Sequence, residues 1–99
     1  MTRFKLLFTD KAKEQWNALE QDTINPAVFK ALRKTLGLME TNLRHPSLQT
    51  HEFTSLKGPN GEKVYEAYVQ HKTPGAYRVF WYYGPGRGIL TIVAIVPHP

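Results

Sequence analysis

The spacing of apolar positions changes along this chain, and the changes mark its elements. Arg3 to Phe8 is a short apolar-rich run that predicts a first strand. Thr9 or Asp10 then caps a helix on which Ala12, Trp16 and Leu19 form one apolar stripe. Gln21 to Ile24 is a connection. At Asn25-Pro26 a capping side chain precedes a proline, whose fixed φ suits the first helical position. Val28, Leu32, Met39 and Leu43 mark the face of this second helix, and Phe29 and Leu36 widen it. Gly37 weakens the helix by about 1 kcal/mol relative to alanine without ending it. Arg44-His45-Pro46 ends it, because proline disfavours the helical conformation in the residue before it.

Beyond Pro46 the pattern is that of strands. Glu52 to Leu56 reads as a short strand or an ordered loop. Lys57 to Lys63 is a turn centred on Asn60-Gly61, residues that tolerate the positive φ of tight hairpins. Val64 to His71 is the next strand, and Lys72-Thr73-Pro74-Gly75 turns into the β-rich run Gly75 to Tyr83. The turn Gly84-Pro85-Gly86-Arg87-Gly88 then joins that strand to Ile89–Val96, which completes a hairpin. A strand, two helices and three or four antiparallel strands predict an α+β layer pair with helices on one sheet face. The other face is left available for function.

Alternation assigns side chains to those faces. Arg78, Phe80 and Tyr82 share one side, opposite Tyr77, Val79, Trp81 and Tyr83. In the preceding strand Glu66, Tyr68 and Gln70 share a side, opposite Tyr65, Ala67, Val69 and His71. Ala67, Val69 and Val79 suit packing against helices, so Glu66, Tyr68 and Arg78 are expected to meet on the open face.

Composition narrows the picture further. Ninety-nine residues make a single domain spanning 1–99, and 41% apolar with 12% aromatic content is enough for a packed interior. The chain has no cysteine, which excludes disulfides and thiol nucleophiles and fits a cytoplasmic location. No apolar run approaches the roughly 20 residues of a membrane span, and the N-terminus lacks the apolar stretch of a signal peptide. The net charge of +5 leans toward a nucleic acid or an acidic protein partner. After Glu52 the only acids are Glu62 and Glu66, whereas Lys57, Lys72 and Arg87 are among the basic residues of that half. His45, His51, His71 and His98 match no metal-ligand spacing, so neither a metal nor another cofactor is expected.

Arg78 is the candidate with the sharpest physical motive. A charge inside so apolar a strand needs a partner, because burying it unpaired is costly. An oxyanion such as an RNA phosphate is one partner, and Glu66 across the strands is another. His98, just past the last apolar run, is a candidate acid or base, since imidazole titrates near working pH. Tyr68 and Tyr82 are either surface aromatics or platforms on which RNA bases stack.

With strand, helical hairpin, proline stop and the segment Gly75-Ala76-Tyr77-Arg78-Val79, the chain resembles the RelE/ParE superfamily of bacterial type II toxins over nearly its whole length. The resemblance implies a small RelE-like α+β fold: an N-terminal strand and a two-helix hairpin packed on one face of an antiparallel sheet. It also implies contact between Arg78 and the scissile mRNA phosphate. The ending Ala94-Ile95-Val96-Pro97-His98-Pro99 is similar to YoeB-type members, which implies a general acid or base role for His98. Two departures stand out: Glu66 and Tyr68 occupy the strand where RelE-type enzymes have basic residues, and Pro99 follows the histidine where YoeB-type members have tyrosine. Glu52 is the loosest match, standing near the acidic base of YoeB-type members.

The implied function is an mRNA interferase, a ribosome-dependent endoribonuclease that inhibits translation and is silenced by a cognate antitoxin, itself acidic or DNA-binding. Cleavage by this route uses no metal. A base, for which Glu66 is the candidate, activates the ribose 2′-OH against the adjacent phosphate; His98 protonates the leaving oxygen and Arg78 stabilises the charge. Tyr68, Tyr82, Lys57, Lys72 and Arg87 are the candidate RNA contacts. A ParE-like toxin that binds DNA gyrase, and a degenerate member that acts only as a binding partner, are the alternatives.

Overall fold

The structure, a computed structural model, describes residues 3–71 and 75–97. In chain order the elements are β1 (Lys5–Phe8), α1 (Asp10–Glu20), α2 (Pro26–Thr41), a 3₁₀ turn (Pro46–Leu48), β2 (His51–Lys57), β3 (Lys63–Tyr68), β4 (Tyr77–Tyr83) and β5 (Ile89–Pro97). The strands form one sheet in the order β1-β5-β4-β3-β2. Strands β2 to β5 pair antiparallel, as expected, but β1 runs parallel to β5 and makes the sheet mixed. A parallel neighbour needs a long crossover, and here the helices and the other strands supply it.

Both helices start where the sequence indicates, by partly different means. Thr9 Oγ1 accepts from Ala12 N at 3.1 Å, capping α1, and donates to the Val93 carbonyl at 3.2 Å. That carbonyl lies at a β-bulge, where the β4–β5 register shifts between Phe80 and Trp81. Asn25 precedes α2 as expected, but its side chain makes no capping bond. Asp22 Oδ1 instead accepts from Ile24 N at 3.0 Å and Asn25 N at 3.1 Å, which orders the connection. Gly37 sits inside α2 without ending it, and the helix stops at Thr41, before Pro46.

The main core lies between the helices and the sheet, where Leu32, Met39, Trp81, Leu90 and Ile92 are buried with Ala67, Val69 and Val79. A smaller apolar cluster of Val64, Phe80 and Tyr82, flanked by Phe53 and Val96, occupies the other face. The Asn60-Gly61 turn forms as expected, with Gly61 at φ +83° and Gly58 N donating to Glu62 O at 2.8 Å. β2 fills all of 51–57, so the ambiguous segment is a strand. β3 ends at Tyr68, short of the expected His71.

Candidate functional site

Strand register brings one polar cluster together on the face away from the helices. Tyr68 stands opposite Arg78, Glu66 opposite Phe80, and His51 opposite Glu66. Glu66 and Arg78 are therefore diagonal neighbours across β3 and β4, within reach of long side chains. Glu66 Oε2 lies 3.8 Å from Arg78 Nε, a charge contact too long for a hydrogen bond. Glu66 Oε1 lies 2.7 Å from His51 Nε2. Glu66, Tyr68 and Arg78 thus meet where alternation placed them, and His51 joins them.

Arg78 is held from several sides. Its Nη1 donates to the carbonyls of Gln70 (3.0 Å), Ala76 (3.2 Å) and Tyr77 (3.1 Å). With two hydrogens for three acceptors, at least one bond is shared. The guanidinium carbon lies 3.7 Å from the centroid of the Tyr68 ring, a cation–π contact worth about 2 kcal/mol when desolvated. Arg78 is only 8% exposed and Glu66 5%, so this charge pair is sheltered from water. Nε is buried and makes no hydrogen bond to any of the described residues. Pro97, the last described residue, pairs with Tyr77, so β5 ends beside this cluster.

No protein-family profile matches this sequence, and no curated protein does. Solved structures do match in fold. A YoeB/ParE toxin from Agrobacterium tumefaciens superposes with a TM-score of 0.69 at 9% identity, covering 97% of this chain and 100% of that one. A chain of the YoeB–YefM toxin–antitoxin complex from Staphylococcus aureus gives 0.65 at 16% identity, covering 99% and 100%. A chain of the archaeal RelE–RelB complex from Pyrococcus horikoshii OT3 gives 0.62 at 14% identity, covering 98% and 96%. The chain has the RelE/ParE toxin fold.

On that fold the remaining candidates are scattered. His98 and Lys72 lie outside the described residues. Tyr82 is on the expected face but is 7% exposed within the Val64–Phe80 cluster, which leaves its ring little surface for stacking a base. Lys57 pairs with Lys63 at the β2–β3 turn, and Arg87 lies in the β4–β5 turn. Both turns are at the other end of the sheet from Arg78. The five steps from Arg78 to Tyr83 span roughly 17 Å at strand rise, so these two cations do not gather around Arg78. Glu52 reaches toward Lys57 at 3.9 Å.

The reading from sequence missed His51. The Asn60-Gly61 hairpin was its nearest signal, but counting back from that turn would set Thr54 opposite Glu66. An irregularity between Glu52 and Lys57 shifts the register and puts His51 there instead. Two surface grooves lie elsewhere, and neither is lined by Glu66 or Arg78. One, of about 700 Å³, runs between β1 and the helices past Trp16 and Arg33. The other, of about 1000 Å³, lies by Phe4, Arg44 and Tyr83. The Tyr83 phenol beside it has its pKa raised by burial and by neighbouring Tyr65, with Arg44 opposing the rise.

Proposed function

We propose that this chain is the toxin of a toxin–antitoxin pair and cleaves mRNA by attack of a ribose 2′-OH on its own 3′-phosphate. The observation that carries the reading is the sheltered Glu66–Arg78 pair on the sheet face away from the helices, beside the end of β5. Glu66 takes the 2′-OH proton, the new O–P bond forms, and the bond to the leaving 5′-oxygen breaks. Arg78 stabilises the charge that builds on the phosphoryl oxygens, a role suited to a planar guanidinium fixed in place beforehand. His98 gives its proton to the 5′-oxygen. The products are a 2′,3′-cyclic phosphate and a 5′-hydroxyl. Tyr68, beside the guanidinium, is the aromatic placed to touch a base.

An antitoxin partner is part of the proposal. The similar chains from Pyrococcus horikoshii and Staphylococcus aureus come from complexes with RelB and YefM. A charge of +5 suits an acidic wrapping segment, which electrostatic attraction would steer onto the chain. Among the described residues no helix is long and apolar enough to cross a membrane, and the reading places the protein in the cytoplasm with its mRNA target.

One observation favours the second reading, a ParE-like toxin acting on gyrase. Arg78 spends Nη1 on three backbone carbonyls and lies against Tyr68, as an arginine serving the fold would. The deciding experiment is cleavage of a defined mRNA on programmed ribosomes, mapped by primer extension. It compares the wild type with Arg78→Ala, Glu66→Gln and His98→Ala. Cuts that fade by about 10²–10⁴-fold in the variants support the nuclease, that being the usual weight of one acid–base group. Intact mRNA with folded wild-type protein rejects it, and inhibition of gyrase supercoiling would then establish the alternative.

A further inference from the structure

We infer that His51 is the positioning residue of this site: it, and not Arg78, holds the Glu66 carboxylate by a direct hydrogen bond. The inference rests on the nuclease reading above. Two contacts fix the imidazole. His51 Nδ1 lies 2.8 Å from the carbonyl oxygen of Gln49, and a carbonyl can only accept, so Nδ1 carries a hydrogen. His51 Nε2 lies 2.7 Å from Glu66 Oε1. A bare ring nitrogen and an ionised carboxylate are both acceptors, so that contact requires a proton between them. The nuclease reading requires that proton on Nε2, which leaves Glu66 the carboxylate that accepts from it.

The local fold builds this arrangement. Gln49 leaves the 3₁₀ turn in the left-handed region, at φ +47°, and its carbonyl meets the His51 ring. Register then sets His51 directly opposite Glu66. The ring is held on both nitrogens by groups from a turn and a neighbouring strand. Among the described residues, the charged and titratable groups around it are Glu66 and Tyr68 on β3, Arg78 behind Glu66 on β4, and His71, which packs on the Tyr68 ring at 5.2 Å.

Glu66 has no other hydrogen-bonding partner among the described residues, since Arg78 Nε stands at 3.8 Å. Without His51 the carboxylate would be free to swing toward Arg78 and form the tighter ion pair that the present distance does not allow. A carboxylate so engaged is displaced from the 2′-OH it must reach. His51 acts through Glu66, by aiming it and by keeping it off the guanidinium. Its side chain is 47% exposed against 7% for Glu66, so the imidazole forms the solvent-facing wall of the site.

The test uses the full chain in the ribosomal cleavage assay with His51→Ala and His51→Gln, each checked for folding by its urea midpoint. Glutamine keeps an N–H near the position of Nε2 and cannot titrate. The expected result is a fall in kcat of about 10- to 100-fold for His51→Ala, the cost of misplacing a reacting group by about 1 Å. KM stays within about twofold, and His51→Gln recovers most of the loss. In parallel, the ¹H–¹⁵N spectrum of the imidazoles should show a downfield Nε2–H resonance for His51 that disappears in Glu66→Gln. The inference is overturned, with the nuclease reading intact, if the wild type cleaves and His51→Ala matches it, or if glutamine does no better than alanine. It is also overturned if the ring resonance is absent or indifferent to Glu66→Gln. A wild type that cuts nothing defeats the nuclease reading and this inference together, and is told apart by that silence.

Discussion

Whether Arg78 and Glu66 are energetically coupled can be measured by a double-mutant cycle. The perturbations are Glu66→Gln and Arg78→Met, which remove each charge and keep most of each side chain. At 3.8 Å two unit charges attract by about 1 kcal/mol in bulk water and by about 4 kcal/mol at the effective dielectric constant of ~20 that suits protein sites. Both groups are more than nine-tenths buried, so the true value lies well above the bulk-water limit. The missing hydrogen bond keeps it below the upper one. We expect a coupling of about 1–4 kcal/mol in urea denaturation, with each single variant destabilised by more than the pair's net contribution, because each leaves an unbalanced buried charge. The carbonyl bonds of Nη1 are lost wherever Arg78 is replaced and the His51 contact is altered wherever Glu66 is, so both cancel from the cycle. A coupling of 2 kcal/mol corresponds to a midpoint difference on the order of 1 M urea for a protein of this size. A coupling under about 0.5 kcal/mol, the usual scatter of independent sites, would refute the argument that these side chains balance one another.

Two other predictions concern the body of the fold. Trp81 is fully buried, yet its Nε1 has no hydrogen-bond partner among the described residues. Trp81→Ala should cost about 3–5 kcal/mol in denaturant unfolding. Trp81→Phe should cost less than half as much, because it also removes an unsatisfied donor whose burial costs about 1–3 kcal/mol. Equal losses would mean that the indole nitrogen is satisfied. The second prediction follows from the raised pKa of Tyr83. As pH climbs past the ordinary value of 10.0 the unfolded phenol ionises while the folded one keeps its proton. The native state then binds more protons than the unfolded state, and stability falls with rising pH. Urea midpoints taken from neutral pH to above 10.0 should decline more steeply for the wild type than for Tyr83→Phe. Parallel declines would show that Tyr83 is not the cause.

What the sequence discloses about this site is what local geometry controls. Alternation in a strand is a property of the backbone, so Glu66, Tyr68 and Arg78 could be assigned to one face from their positions alone. The turn at Asn60-Gly61 and the proline start of α2 were legible for the same reason. His51 was not, because its place depends on a register irregularity inside β2, and register is a relation between strands. The parallel pairing of β1 with β5 is non-local in the same sense. Asn25 shows a third limit: the residue type signals a helix start correctly, while the capping of the connection falls to Asp22 three residues earlier. The carbonyls that grip Arg78 belong to residues of any type, so no side-chain pattern announces them.

The net charge of +5 suggests a cationic groove for RNA, but little of it gathers at the site: Glu66 stands between Arg78 and His51, and Lys57 and Arg87 lie at the far end of the sheet. Under the nuclease reading this placement is an advantage. In the ground state Glu66 offsets the guanidinium, so a bound phosphate gains little from it. When Glu66 accepts the 2′-OH proton it becomes neutral, at the moment negative charge builds on the attacked phosphoryl group. The counter-charge of Arg78 then shifts from a carboxylate to the reacting phosphate without the guanidinium having to move, since three carbonyls and Tyr68 hold it. Such an arginine stabilises the transition state more than the bound substrate, which is the requirement for raising kcat rather than merely lowering KM. If that is its role, Arg78→Met should lower kcat steeply and leave KM nearly unchanged. A variant that instead raised KM with kcat preserved would show Arg78 to be a ground-state anchor for phosphate.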